Sequence, residues 1–174
     1  MSDDIAGAAW PDEIYGVLKD AGVSQICFVP DAGHKTLIER SVADNHMTTV
    51  RLTTEEEGVA MLAGSWLGGA KGALLMQSSG VGNCPNFLSL VKGARFPILM
   101  IVSMRGEYGE QNPWQYPMGQ AVEPVLKAMG VLVFRVEAME DLGSATAAAL
   151  AASFHGGQGA ALILSQKFLG AKAF

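Results

Sequence analysis

Basic residues are scarce in this chain. It has 12 lysines and arginines against 17 aspartates and glutamates, for a formal net charge of −5. They form no cluster, so the electrostatic footprint of a nucleic-acid-binding protein is missing. Cysteine is scarcer still: Cys27 and Cys84 form no Cys-x-x-Cys pair, and two in 174 residues make no disulfide framework. That usage points to a reducing, cytoplasmic setting. No apolar run approaches the ~20 residues that span a bilayer, so no membrane helix is expected. Met1-Ser2-Asp3-Asp4 is acidic and polar, unlike the start of a secretory signal. His46 and His155 stand at no metal-ligand spacing with each other or with cysteine, so no metal site is expected in this chain. No Gly-Lys-Ser/Thr follows a glycine-rich turn and no Gly-x-Ser-x-Gly elbow occurs, which argues against a Walker-type nucleotide loop and an elbow-type hydrolase. Charged residues make up 17% of the chain, below the usual ~25%. A surface this lean in charge suits an exterior partly covered by another subunit.

The chain does have alternating helical and strand patterns across a length suited to one domain, 1–174. Ile14, Val17, Leu18 and Ala21 recur at helical spacing after Pro11, and Gly22 ends that helix. Short apolar strands are expected at 25–29, 48–52, 73–76, 97–103, 131–136 and 160–164. Helices are expected at 86–92, 120–129 and 139–153, and from Thr54 to Gly68-Gly69. Thr54 and Glu57 could form a capping box at the start of that last helix. Continuous apolar strands separated by helices imply an α/β fold: a doubly wound, mostly parallel six-stranded sheet with helices on both faces.

In such folds ligands bind outside the carboxyl ends of the strands. Four loops lie there: Pro30–Lys35, Thr53–Gly58, Gln77–Pro85 and Arg105–Met118. They hold most of the unusual polar residues. Glu55-Glu56-Glu57 opens a helix, where acidic residues favour the macrodipole. One of three consecutive residues should also turn toward the sheet, and a carboxylate so placed is a candidate for proton chemistry. Ser78-Ser79-Gly80-Val81-Gly82-Asn83 links a strand to a helix and could cradle a phosphate or serve only as a tight turn.

Taken together these loops resemble those of thiamine-diphosphate enzymes, in particular the sulfopyruvate and phosphonopyruvate decarboxylase branch. The 54–69 segment is similar to the family's glutamate helix, in which a Glu precedes an aromatic by ten residues. Counting back from Trp66 selects Glu56. Met76-Gln-Ser-Ser-Gly-Val-Gly-Asn83 resembles the Met-Gln-Asn-Ser-Gly-Leu-Gly-Asn turn of those decarboxylases. Val29-Pro-Asp31, Arg105-Gly-Glu-Tyr-Gly109, Gln115 and Met118-Gly119 fall where they carry similar residues.

The resemblance implies a pyrimidine-binding domain in which Glu56 is catalytic, hydrogen-bonding N1′ of the aminopyrimidine. Ser79, Gly80, Val81, Gly82 and Asn83 would pack against the cofactor. Asp31, His34, Arg105 and Gln115 would face the substrate, with Arg105, His34 and Lys35 as the groups available to an anionic 2-oxo acid. No Gly-Asp-Gly…Asn diphosphate motif is present, and the sequence stops at Phe174, where a single-chain relative would continue. The resemblance therefore implies an alpha subunit that shares thiamine diphosphate with a beta subunit, the beta subunit holding Mg2+, in a larger oligomer. A carboligase or synthase subunit using the same cofactor, and a non-catalytic structural or regulatory subunit, are the competing expectations.

Overall fold

A computed structural model describes residues 9–170. Met1–Asp4, read above as lacking the character of a secretory signal, lie outside the described residues, as does Phe174. In chain order the elements are α1 (Trp10–Asp20), β1 (Val23–Phe28), α2 (Lys35–Ala43), β2 (Thr48–Arg51), α3 (Glu55–Leu67) and β3 (Lys71–Gln77). There follow the single turn α4 (Ser78–Val81), α5 (Pro85–Ala94), β4 (Ile98–Ser103), α6 (Tyr116–Ala128), β5 (Leu132–Val136), α7 (Met139–Leu150), β6 (Gly159–Leu164) and the short α8 (Gln166–Leu169). All six strands run parallel in the order β2-β1-β3-β4-β6-β5.

Strand pleating divides the core in two. Alternate residues point to opposite faces. Ile26, Phe28, Leu75, Leu99, Ile101 and Leu162 join Ile14, Leu18, Leu37 and Leu142 in one buried cluster under α1, α2 and α7. Cys27, Leu74, Met76, Met100, Val102 and Ile163 join Val59, Leu62, Leu88, Val122 and Leu126 under α3, α5 and α6. Every residue of β4 and β6 is buried. Strands covered on both faces therefore read as unbroken apolar runs. Each large aliphatic side chain buried this way stabilises the fold by roughly 1.5–3 kcal/mol.

Three local expectations change. The Gln77–Pro85 turn coils into a helical turn, α4, before Pro85 opens α5. The helix expected at 120–129 begins at Tyr116, with Pro117 tolerated in its first turn, where no intrahelical donor is needed. The capping box does not form. Thr54 is extended at the N-cap, but its hydroxyl donates to the Glu56 carboxylate, while Glu57 accepts from the Thr53 amide at 2.9 Å. Among the described residues, no helix is long and apolar enough to cross a membrane.

Candidate active site

The chain leaves β1 toward β2 and leaves β3 toward β4, in opposite directions along the sheet. This divergence opens a crevice at the carboxyl ends of two adjacent strands. A cleft of about 120 Å³ lies there, lined by Val29, Pro30, Asp31, Glu55, Gln77 and Ser79.

Glu55 is the first residue of α3 and is 8% exposed. The buried stripe of that helix runs Glu55, Gly58, Val59, Leu62, so the carboxylate sits on the face turned toward the sheet. Asn83 Nδ2 donates to Glu55 Oε2 at 2.7 Å, and the rest of the carboxyl group lies against Gly80. Among the described residues no donor is bonded to Oε1. A buried carboxylate with one oxygen secured and a cleft beside it can accept one directed bond from a ligand, and such a bond gains strength where water is excluded.

The carboxylate that lines the cleft is one residue from the expected one. Glu56, selected by its distance from Trp66, turns away from the cleft, and its carboxylate takes the Thr54 hydroxyl. That bond, together with a backbone N–H, holds Glu56 below the usual carboxylate range. A one-residue step rotates a helical side chain by about 100°, enough to leave the inward stripe. Trp66 lies at the other end of α3, stacked on Phe154 with ring centroids 6.4 Å apart. The helical stripe extrapolated back from Leu62 and Val59 would have pointed to Glu55.

The α4 turn brings several expected residues together. Gly80 and Val81 are buried, whereas Ser79, Gly82 and Asn83 reach the surface. A Cβ on Gly80 would collide with the Glu55 carboxyl group, so only glycine lets the turn approach it. The Ser79 hydroxyl donates to Gln77 Oε1 at 2.9 Å. Met118, from α6, covers Gly82.

Asp31 lines the cleft. Ser103 Oγ donates to its Oδ2 at 2.5 Å and Gln77 Nε2 to its Oδ1 at 3.3 Å. Burial works to raise its pKa, but His34, the Ser103 hydroxyl, the Gly33 amide and Gln77 outweigh burial and leave it lowered. Gln77 and Ser103 were not singled out from the sequence: Gln77 opens the Gly-rich loop without a motif of its own, and Ser103 reads as the polar end of an apolar strand.

His34, Arg105 and Gln115 do not line this cleft. His34 is completely buried, with Nε2 3.2 Å from the Met76 carbonyl oxygen, and burial holds the ring below its ordinary pKa. A short turn at Ala32–His34 carries the side chain inward, edge-on to Trp10. Arg105 makes two 2.6 Å bonds to Glu110, so its charge is already shared. Gln115 belongs to the turn Pro113–Gln115, and its backbone carbonyl lies against Gly106. Of the cations considered for an anionic substrate, Lys35 stays exposed, loosely paired with Glu39 at 3.9 Å. Among the described residues no group of three or more His, Cys, Asp or Glu could hold a metal ion.

Comparison with known proteins places the chain in a family. No family model matches the chain. It is 39% identical over 129 residues to the sulfopyruvate decarboxylase subunit alpha of Methanocaldococcus jannaschii, covering 74% of this chain and 76% of that one. Identity to the subunit of the same name from Methanothermobacter thermautotrophicus is 39% over 141 residues, covering 78% and 85%. Among solved structures, a 2-oxoglutarate:ferredoxin oxidoreductase from Magnetococcus marinus superimposes with a TM-score of 0.70 at 14% identity, covering 93% of this chain and 29% of that one. A putative thiamin diphosphate-dependent enzyme from Mycobacterium smegmatis gives 0.66 at 18%, covering 90% and 30%. At such identities these two structures share the fold alone. The identity and coverage of the first two relatives go further: the chain belongs to the sulfopyruvate decarboxylase alpha-subunit family.

Proposed function

We propose that this chain is the pyrimidine-binding alpha subunit of a thiamine-diphosphate-dependent decarboxylase acting on sulfopyruvate or a similar anionic 2-oxo acid. The observation that carries the reading is Glu55: a buried carboxylate at a helix start, fixed by Asn83 and crowded by Gly80, with Oε1 beside the cleft. Those residues fit an aminopyrimidine. Glu55 would share a proton with its ring nitrogen, donating as the acid and accepting from the N–H once that nitrogen is protonated, and the bare Gly80 backbone leaves room for a flat ring. When bound, the cofactor supplies the electron sink for loss of CO2. This chain's residues hold the ring, secure the proton at Glu55 and present Asp31 to the substrate side.

Thiamine diphosphate would be shared. A beta subunit would bring the diphosphate site and its Mg2+, and the two chains would assemble into an oligomer. A purely structural subunit has no use for a carboxylate buried at this cost. The test is CO2 release from sulfopyruvate by the chain mixed with its beta subunit. Glu55→Gln should lower kcat by about 10²–10⁴-fold, the range of a lost proton-transfer group, while Glu56→Gln should stay within a few-fold of the parent. The reverse ranking would return the role to Glu56.

A further inference from the structure

We propose that Ser103 and Gln77 are positioning residues that fix Asp31 as an ionised hydrogen-bond acceptor in the wall of the cleft shared with Glu55. This deepens the decarboxylase reading and rests on it. The observation is convergence. Asp31 follows β1, Gln77 ends β3 and Ser103 ends β4, three neighbouring strands of one sheet. Their carboxyl ends deliver a hydroxyl to one oxygen of Asp31 at 2.5 Å and an amide to the other at 3.3 Å. The Gly33 N–H reaches the same carboxylate. A Cβ on Gly33 would lie 2.7 Å from Asp31 Oδ2 and 2.9 Å from Ser103 Cβ, so the cluster closes only around glycine. Gln77 in turn accepts from Ser79, which links Asp31 to the turn that holds Glu55.

Every bond in this chain donates toward Asp31. Protonating the carboxyl group would set an O–H against one of these donors and weaken the bonds it accepts, so the cluster favours the ionised form. The charges around it do not supply that selection alone. His34 and Arg105, the latter also bound to Glu110, act on Asp31 in the same direction, while Lys35 is paired with Glu39 on α2 and Glu55 faces from α3. The acid limb of turnover should therefore report Asp31, and Ser103 and Gln77 should set where that limb falls.

The experiment joins two readouts. The carboxyl carbon of Asp31 is titrated by NMR in the full chain carrying 13C-labelled aspartate. The pH profile of kcat/KM is measured for CO2 release by the chain with its beta subunit. Ser103→Ala should raise the Asp31 midpoint by about one pH unit, the scale of one lost charge-assisted bond, and the acid limb should move with it. Gln77→Leu should act in the same direction from another strand, which keeps the test open if Ser103→Ala fails to fold. Asp31→Asn should remove the limb. An unmoved midpoint in both positioning variants overturns the proposal, as does a midpoint that rises while the limb stays fixed. A wild-type complex that releases no CO2 overturns the decarboxylase reading instead, and the NMR midpoints still decide the positioning.

Discussion

At the scale of single residues, the site depends on what glycine omits. Gly80→Ala would place a methyl group against the Glu55 carboxyl group, which can swing away because it ends a flexible side chain. The expected outcome is a loss of turnover with little loss of stability, seen as a kcat reduced at least about tenfold and a Tm within a few degrees of the parent. Cys84 offers a second check. Burial, with Glu55 and Glu56 adding to it, pushes its thiol up to about 12. The native chain should therefore leave Cys84 unmodified by iodoacetamide at pH 8, where an ordinary thiol reacts; mass spectrometry reads this directly. Residue-scale features were also the hardest to read in the sequence. The acidic triplet was visible, but which carboxylate faces the cleft depends on the phase of the helix, and a count from Trp66 misjudged that phase by one position. His34 looked available because it lies in the polar loop Pro30–Lys35, yet the short turn after Asp31 sends it into the core.

At the scale of elements, the loop between β4 and α6 is held far more firmly than its polar composition suggests. Glu110, fully enclosed at its side chain, accepts from Arg105, Gly106, Asn112 and Gln166. Glu107 joins Arg135 and the start of α8, and Arg135 also reaches Glu123 and Glu137. Arg105 first, then the surrounding N–H donors, hold the Glu110 carboxyl well below its usual range. Glu110→Gln leaves buried donors poorly paired and should cost about 1–3 kcal/mol. Because the folded pKa is the lower one, this stabilisation is fully present above the unfolded value of ~4.3 and is lost as pH falls through the folded value. Thermal melts should show the parent ahead of Glu110→Gln at pH 7 and the gap closing below about pH 4. From sequence this stretch reads only as a loop, because the pairing partners of Glu110 and Glu107 include Gln166 and Arg135, far along the chain.

At the scale of the whole molecule, the doubly wound sheet was legible throughout. Six apolar runs, each flanked by a helical pattern, allow little else, and the burial of β4 and β6 explains why those runs carry no polar alternation. The site could be placed at the carboxyl edge for the same reason. The divided-site reading makes a prediction at this scale. Thiamine diphosphate with Mg2+ should barely shift the Tm of the chain alone and should raise it clearly once the beta subunit is added, by mass action on a completed site. A Mg2+-dependent shift of the isolated chain would show that it holds the diphosphate itself. One last consequence comes from two glycines, one in the glutamate helix and one in β3, where the two elements meet. Any side chain at Gly58 would strike Leu74 and Leu52, and one at Gly72 would strike Leu62, so α3 rides on the sheet with no spacer between them. The Glu55 end of that helix thus inherits the stiffness of the sheet. Close-packed interiors transmit displacement rather than absorb it, so the backbone that carries Glu55 should move with the sheet.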